Sequence, residues 1–286
     1  MQITRKAAAA MGLLVVTAAA AVALLIRPQG ALRFRSAPGG DLDLSEVIRE
    51  LAGVRVVFVG ESHDSRAHHR TQLAILRALR EAGVPVALGL EMFRTDAQPE
   101  LDRWTAGTLS RSEFVSLFAS HWDLGLWSVY SDLFDYAREQ RIPLVGLNVP
   151  SETVTQVARR GFASLSAEQR RGLGTVECNV DPRYQKLLAA LLGVEERSGA
   201  HFVHFCEAQL VWDVTMARGL VRYAEVHPTR TVVVLAGIFH AWKHGIPAQL
   251  ARESALPYRV FLPLLNENLE DYSVALQDAD YVWQLQ

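Results

Sequence analysis

Val54-Arg55-Val56-Val57-Phe58-Val59-Gly60-Glu61-Ser62-His63 decides the fold of this chain. Residues 54–59 form an apolar, β-branched run of strand length. The run stops on a glycine, and a carboxylate and an imidazole follow within three residues. Three other segments have the same shape. Residues 86–90 (VALGL) run into Glu91, 143–147 (PLVGL) into Asn148, and 231–237 (TVVVLAG) into Ile238-Phe239-His240. Runs that are apolar throughout, rather than alternating, are strands covered on both faces, which is the signature of a parallel sheet. Ligands of open α/β sheets bind outside the carboxyl ends of the strands. Glu61, His63, Glu91, Asn148 and His240 are therefore expected on one rim.

Helical patterns separate the strands. Leu73, Leu76 and Leu79 recur at helical spacing within 65–82, and Gly83 and Pro85 end that run. Ser110 with Glu113 reads as a capping box ahead of Phe114, Leu117 and Phe118, and Ser166 with Gln169 as a second one. Residues 201–226 form one long apolar-periodic helix ended by His227-Pro228. Segments 258–264, 272–276 and 281–285 add late strands, expected to pair antiparallel at an edge. The expectation is an α/β fold: a mostly parallel central sheet flanked by helices, with a helix-rich insertion over 92–142 that caps the carboxyl ends of the strands.

Each polar residue has a plainer reading beside the functional one. Glu61 and Ser62 suit a helix N-terminus. Glu91 ends an apolar strand, where a charge needs a partner; Arg94 or Arg66 would serve. Two acids on neighbouring strands can instead separate into a general acid and a general base. Gly237-Ile238-Phe239-His240 repeats the spacing of Gly60…His63, which favours a shared role for the two histidines. His68 and His69, further along the first helix, read as solvated. Gln209 and Asp213 are four apart and share a face of the long helix. They either orient the rim histidines or face water.

The chain has 286 residues, is 50% hydrophobic and 21% charged, and carries a net charge of -2. That balance is globular, and without a basic run it excludes nucleic acid as the expected partner. Arg5 and Lys6 precede Ala7–Ile26, an uncharged stretch of about 30 Å as a helix. Residues 1–27 read as a signal anchor, or as a signal peptide cleaved near Ala18–Ala20. Either outcome places the rest of the chain outside the cytoplasm: on the outer (periplasmic) side of the cytoplasmic membrane behind a single span through residues 7–26, or free in the periplasm after cleavage. Residues 28–43, rich in Pro, Gly and charge, read as a tether, and 44–286 as one domain. Cys178 and Cys206 are the only cysteines; they pair, or Cys206 is a small buried helix residue unrelated to Cys178. G-x-S-x-G, Walker, H-E-x-x-H, C-x-x-C and C-x-x-C-H motifs are absent. A serine hydrolase, a P-loop enzyme, a standard zincin and a covalent c-type haem protein are thereby disfavoured.

VFVGESHDSRAHHRTQLAILRAL, VALGLEMF, DYAREQRIPLVGLNVP, FCEAQLVWDVTMARGL and LAGIFHAWKHGIP, in that order, resemble the ChaN-like haem-binding family. At the fold level the chain is similar to the Tiki/TraB and erythromycin-esterase-like groups. The resemblance covers roughly residues 50–265. It implies a bacterial, exported protein of haem or iron acquisition, with haem as ligand and a homodimer as an option. It carries Glu61 and His63 from G-E-x-H, Glu91 from the strand-end L-E, and His240 from the late G-x-x-H. Asn148, Gln209, Asp213 and Met216 match the neighbouring motifs. The family is thought to hold haem through a tyrosine; Tyr130, Tyr136 and Tyr184 are the candidates here. Gly-Ile-Phe-His is bulkier than the family's usual late motif.

Two functions follow. One is a membrane-anchored haem-binding protein. The alternative is a hydrolase of esters or peptides, with Glu61, His63, Glu91 and His240 as its catalytic set and Asn148, Gln209 and Asp213 as ligand contacts. It would work metal-free through a His/Glu general base, or through a divalent metal on His63, His240 and Glu91.

Overall fold

The computed structural model describes residues 32–36, 39–194, 199–264 and 278–283. In chain order its strands are β1 (Arg33–Ser36), β2 (Asp41–Asp43), β3 (Val56–Glu61), β4 (Val86–Arg94), β5 (Leu144–Asn148), β6 (Thr231–Gly237), β7 (Tyr258–Pro263) and β8 (Tyr281–Trp283). They form one sheet in the order β2-β1-β8-β7-β3-β6-β4-β5. Five neighbouring pairs are parallel, and β1 pairs antiparallel with both β2 and β8. The four strands read first from the sequence are neighbours at the centre and one side. Their register aligns the rim: Glu61 lies beside Gly237, and Leu90 beside Leu235.

The sheet corrects two expectations. Residues 33–36 and 41–43, taken for tether on composition, are strands of the sheet, β2 at its edge and β1 between β2 and β8. Phe34 alternates inward and packs edge-on against Phe261 and Trp283, so a short strand in polar sequence is held by one aromatic anchor. Of the late strands, β7 pairs parallel with β3 and β8 parallel with β7, and β8 also pairs antiparallel with β1, so the antiparallel pairing runs to the N-terminal strands rather than between the late ones. The expected strand at 272–276 and the span at 7–26 lie outside the described residues. Among the described residues no helix is long and apolar enough to cross a membrane.

Every residue of β3 and β6 is buried, which explains their unbroken apolar runs. On one face Val56, Phe58, Val232 and Val234 pack with Met216, Ala217 and Leu220 of the long helix Ala200–Val226. Helix Arg66–Glu81 buries Leu73, Ile75, Leu76 and Leu79. Both capping boxes form, Ser110 with Glu113 and Ser166 with Gln169. The insertion is helical as expected, with helices Gln98–Thr105, Arg111–His121 and Trp127–Glu139. It is welded by ring packing of Phe93, Trp104, Phe114, Phe118 and Phe134. β4 and β5 approach so closely that a Cβ on Gly146 would overlap the Arg94 carbonyl oxygen. Gly146→Ala is expected to cost about 1–3 kcal/mol through strand displacement. A lower urea midpoint at unchanged m-value is the measurement.

Candidate functional site

Glu61 ends β3 and is only 2% exposed. A carboxylate buried there must be fully hydrogen-bonded, and it is. Its Oε1 lies 3.1 Å from His63 Nδ1 and accepts from the Tyr130 hydroxyl. Its Oε2 accepts from Gln72 Nε2 at 2.7 Å and lies 3.0 Å from His69 Nδ1. His69 Nε2 sits 3.0 Å from the His63 carbonyl, and the Gln72 Oε1 faces its Nδ1 at 2.9 Å. Both ring nitrogens of His69 thus face acceptors alone, so both carry protons and the ring is an imidazolium. Burial opposes that charge, and the Glu61 hydrogen bond and charge overcome it, raising the His69 pKa. Burial likewise pushes Glu61 up, but hydrogen bonds from His63, His69 and Tyr130, with the His69 charge, hold its carboxyl at about 2.

His63 follows β3 with its side chain 37% exposed. Its ring edge meets Trp122 of the insertion, centroids 5.1 Å apart. Burial lowers its pKa; the Glu61 hydrogen bond and the charges of Glu91 and Glu61 outweigh that and raise it.

The other half of the rim repeats this construction. Glu91 is 5% exposed; its Oε2 accepts from the Gly237 N–H at 2.6 Å, and its Oε1 lies 3.8 Å from His240 Nε2. His240 stands on the short helical turn Ile238–Ala241, directly after β6. Its Nδ1 is 2.7 Å from Asp213 Oδ1, and Asp213 Oδ2 accepts from the Tyr184 hydroxyl at 2.9 Å. Asp213 and Tyr184 are fully buried. Burial pushes His240 down; Glu91 and Asp213 more than reverse it, to about 9. Two histidines thus each have Nδ1 tied to a carboxylate, and each carboxylate is backed by a buried tyrosine: His63–Glu61–Tyr130 and His240–Asp213–Tyr184. No hydrogen bond among the described residues takes either Nε2. The two imidazoles meet Glu91 around Gly237, where a Cβ would lie 3.1–3.2 Å from the His63 ring. Glycine at that strand end makes room for the imidazole.

Glu61, His63, Glu91 and His240 are brought together at the strand ends, and Asp213 joins them from the long helix. Glu91 does not pair with Arg94, whose guanidinium holds Asp96 instead. Asn148 is close, but its amide is committed to backbone: Nδ2 donates to the Glu91 carbonyl at 2.6 Å and Oδ1 accepts from the Val149 N–H. It splices the ends of β4 and β5. Gln209 is half-buried one turn before Asp213, and no hydrogen bond among the described residues links it to the rim histidines. His68 and His69 are buried rather than solvated. His68 Nδ1 accepts from the Ser62 N–H, and burial lowers its pKa. His69 and Gln72 were legible in principle: they continue the Leu73–Leu76 stripe at helical spacing. Tyr130 and Tyr184 carry no such local signal.

Among the described residues no three His, Cys, Asp or Glu side chains form a group able to hold a metal ion. Instead, Glu91 faces His240 at 3.8 Å with its Oε2 spent on the Gly237 N–H, and His63 pairs with Glu61 at 3.1 Å. Cys178 and Cys206 form a disulfide.

Comparison with known proteins follows this geometry. Residues 47–250 match the family described as haem-binding uptake, Tiki superfamily, ChaN. The solved structure of ChaN from Campylobacter jejuni, described by cofacial heme binding, is 21% identical and has a TM-score of 0.68. The match covers 90% of this chain and 98% of that one. The erythromycin esterase EreC in its open conformation is 16% identical, covering 81% of this chain and 76% of that one, at a TM-score of 0.48. No curated protein matches the chain. With the family spanning most of its length and every rim residue inside the matched span, the chain belongs to the haem-binding ChaN family of the Tiki superfamily.

Proposed function

We propose that this protein binds haem as cargo for uptake or handling, on the outer side of the cytoplasmic membrane, tethered by residues 7–26 or released from them. The observation that carries this reading is family membership across the whole rim. A haem-binding surface needs an apolar contact and an axial donor. Tyr130 and Tyr184 do not fit the donor role, because both are fully buried with their hydroxyls spent on Glu61 and Asp213. Tyr136 lies under the Arg77 guanidinium, 5.0 Å from ring centroid to Cζ. An imidazole and an indole fit better: half-exposed His63 beside Trp122, with Leu124, 52% exposed, two residues further on. Glu61 behind His63 orients the ring as carboxylates orient metal-binding histidines. A second copy of the chain is the protein partner consistent with this reading.

Titration of the purified protein with hemin is expected to shift the Soret band and saturate stoichiometrically. His63→Ala should weaken binding by about tenfold or more. An unshifted spectrum at micromolar hemin would overturn the reading.

One observation favours a second reading. Two oriented imidazoles with uncommitted Nε2 atoms face one buried carboxylate, which is an acid–base arrangement suited to ester or amide hydrolysis. His63 and His240 would donate to the carbonyl oxygen while Glu91 takes a proton from water. Glu91→Gln, leaving the fold intact, should then abolish turnover on an ester and peptide panel. An inactive wild type across that panel removes this reading and leaves binding alone.

A further inference from the structure

The Cys178–Cys206 disulfide is outside the rim, yet it leads back to it. Cys206 is fully buried on the long helix, seven residues before Asp213. Seven residues are two helical turns, so both side chains lie on the same face. Cys178 is half-buried in a stretch, residues 173–181, without helix or strand. Immediately after it, helix Pro182–Leu192 begins on an Asp181 cap and carries Tyr184 in its first turn. Tyr184 gives its hydroxyl to Asp213, and Asp213 holds Nδ1 of His240. The chain of contacts is continuous from the disulfide to the imidazole.

We propose that Tyr184 and the Cys178–Cys206 disulfide are positioning elements of the rim: the disulfide sets the approach of helix Pro182–Leu192 to the long helix, and Tyr184 thereby sets Asp213 and, through it, the ring of His240. The inference rests on His240 being a working member of the rim and not on which ligand the rim takes. Two other forces hold the same helix. Leu187, Leu188 and Ala189 pack with Phe202, Leu210 and Val211, and Arg183 pairs with Asp278 at 2.9 Å. Apolar packing is non-directional. It keeps the helix on the surface but does not specify where a hydroxyl sits to within a hydrogen bond. The covalent tie, four residues from the helix start, restricts that registry. The groups facing His240 are Asp213, Glu91, His63 and the Trp212 ring, so Asp213 is the contact that the disulfide side of the molecule governs.

The consequence is redox sensitivity. A dithiol reductant delivers two electrons and two protons: the S–S bond breaks, Cys178 and Cys206 become thiols, and the reductant closes to its own disulfide. Half-buried Cys178 is the sulfur a reductant reaches first.

The test is solvent exchange of the His240 Nδ1–H proton, followed by NMR in the full chain. In the oxidised protein that proton should exchange slowly. Reduction, or the double change Cys178→Ser with Cys206→Ser, should accelerate exchange by about tenfold or more, the effect of weakening one hydrogen bond. Tyr184→Phe, with the disulfide intact, should do the same, because it keeps the ring and removes only the donor. Reducing the Tyr184→Phe protein should add little, because both changes act on one contact. Unchanged exchange on reduction overturns the proposal, as does a silent Tyr184→Phe. So does loss of the whole circular dichroism signal on reduction, which would make the disulfide a global clamp. A hemin titration of the oxidised wild type separates this result from the haem reading: a protein that fails to bind hemin can still show the exchange pattern, and the reverse.

Discussion

Glu61→Ala should destabilise the domain by about 3–5 kcal/mol, the range for removing one partner of a buried ion pair. The reason lies in what the carboxylate holds. His69, Gln72, Tyr130 and His63 all place a donor on its two oxygens. Without it, a buried imidazolium loses its counter-charge, and an amide and a phenol each lose a carboxylate acceptor at once. The same residue sets an acid limit. Its folded pKa, about 2, lies below its ordinary 4.5. The stabilisation is therefore complete above about pH 4.5 and is lost as pH falls toward 2, an amount on the order of 3 kcal/mol. Urea melts of wild type and Glu61→Ala between pH 2.5 and 7 test both statements. The two curves should converge at the acid end; parallel curves would refute the assigned role.

His240→Ala should be nearly as severe, at about 3 kcal/mol or more, and in the hydrolytic reading should abolish turnover at the rim. Its imidazolium faces both Glu91 and Asp213. Removing it leaves two buried carboxylates without the charge between them. Here the pH sign is reversed. The folded pKa, about 9, lies above the ordinary 6.5. The contribution is complete below about pH 6.5 and disappears as pH rises through 9. Thermal melts from pH 6 to 10 should therefore show the wild type losing stability at the alkaline end while His240→Ala changes little. A His240→Ala protein that melts like wild type at pH 6.5 would refute the pairing. Together the two residues confine maximal stability to the interval between about 4.5 and 6.5.

The strand ends were legible because a parallel sheet leaves a local mark. Strands covered on both faces read as unbroken apolar runs, and each of the four quoted runs is a strand. The polar residue that interrupts each run sits at the carboxyl end, where function concentrates in this architecture. Glu61, His63, Glu91 and His240 follow from that rule without any tertiary knowledge. Asp213 follows less directly, as an acid on the buried stripe of a long helix. The two N-terminal strands were not legible. Three or four residues leave too short a pattern, and each strand offers one large apolar residue, Phe34 and Leu42, between polar neighbours.

Residues 54–63 and their three counterparts thus determined the central strands, their covered faces and the rim on which Glu61, His63, Glu91 and His240 meet, because period and strand-end position are written in neighbouring residues. Only the tertiary structure decided which carboxylate serves which histidine. Tyr130 reaches Glu61 across 69 positions, Asp213 reaches His240 across 27, and Tyr184 reaches Asp213 across 29. Those partners come from the insertion, the long helix and the segment stitched by Cys178–Cys206. Their docking is set by packing between elements, and no local pattern encodes it. The same long-range packing makes His69 an imidazolium and buries the tyrosines, and so it also decides which groups remain open to a ligand.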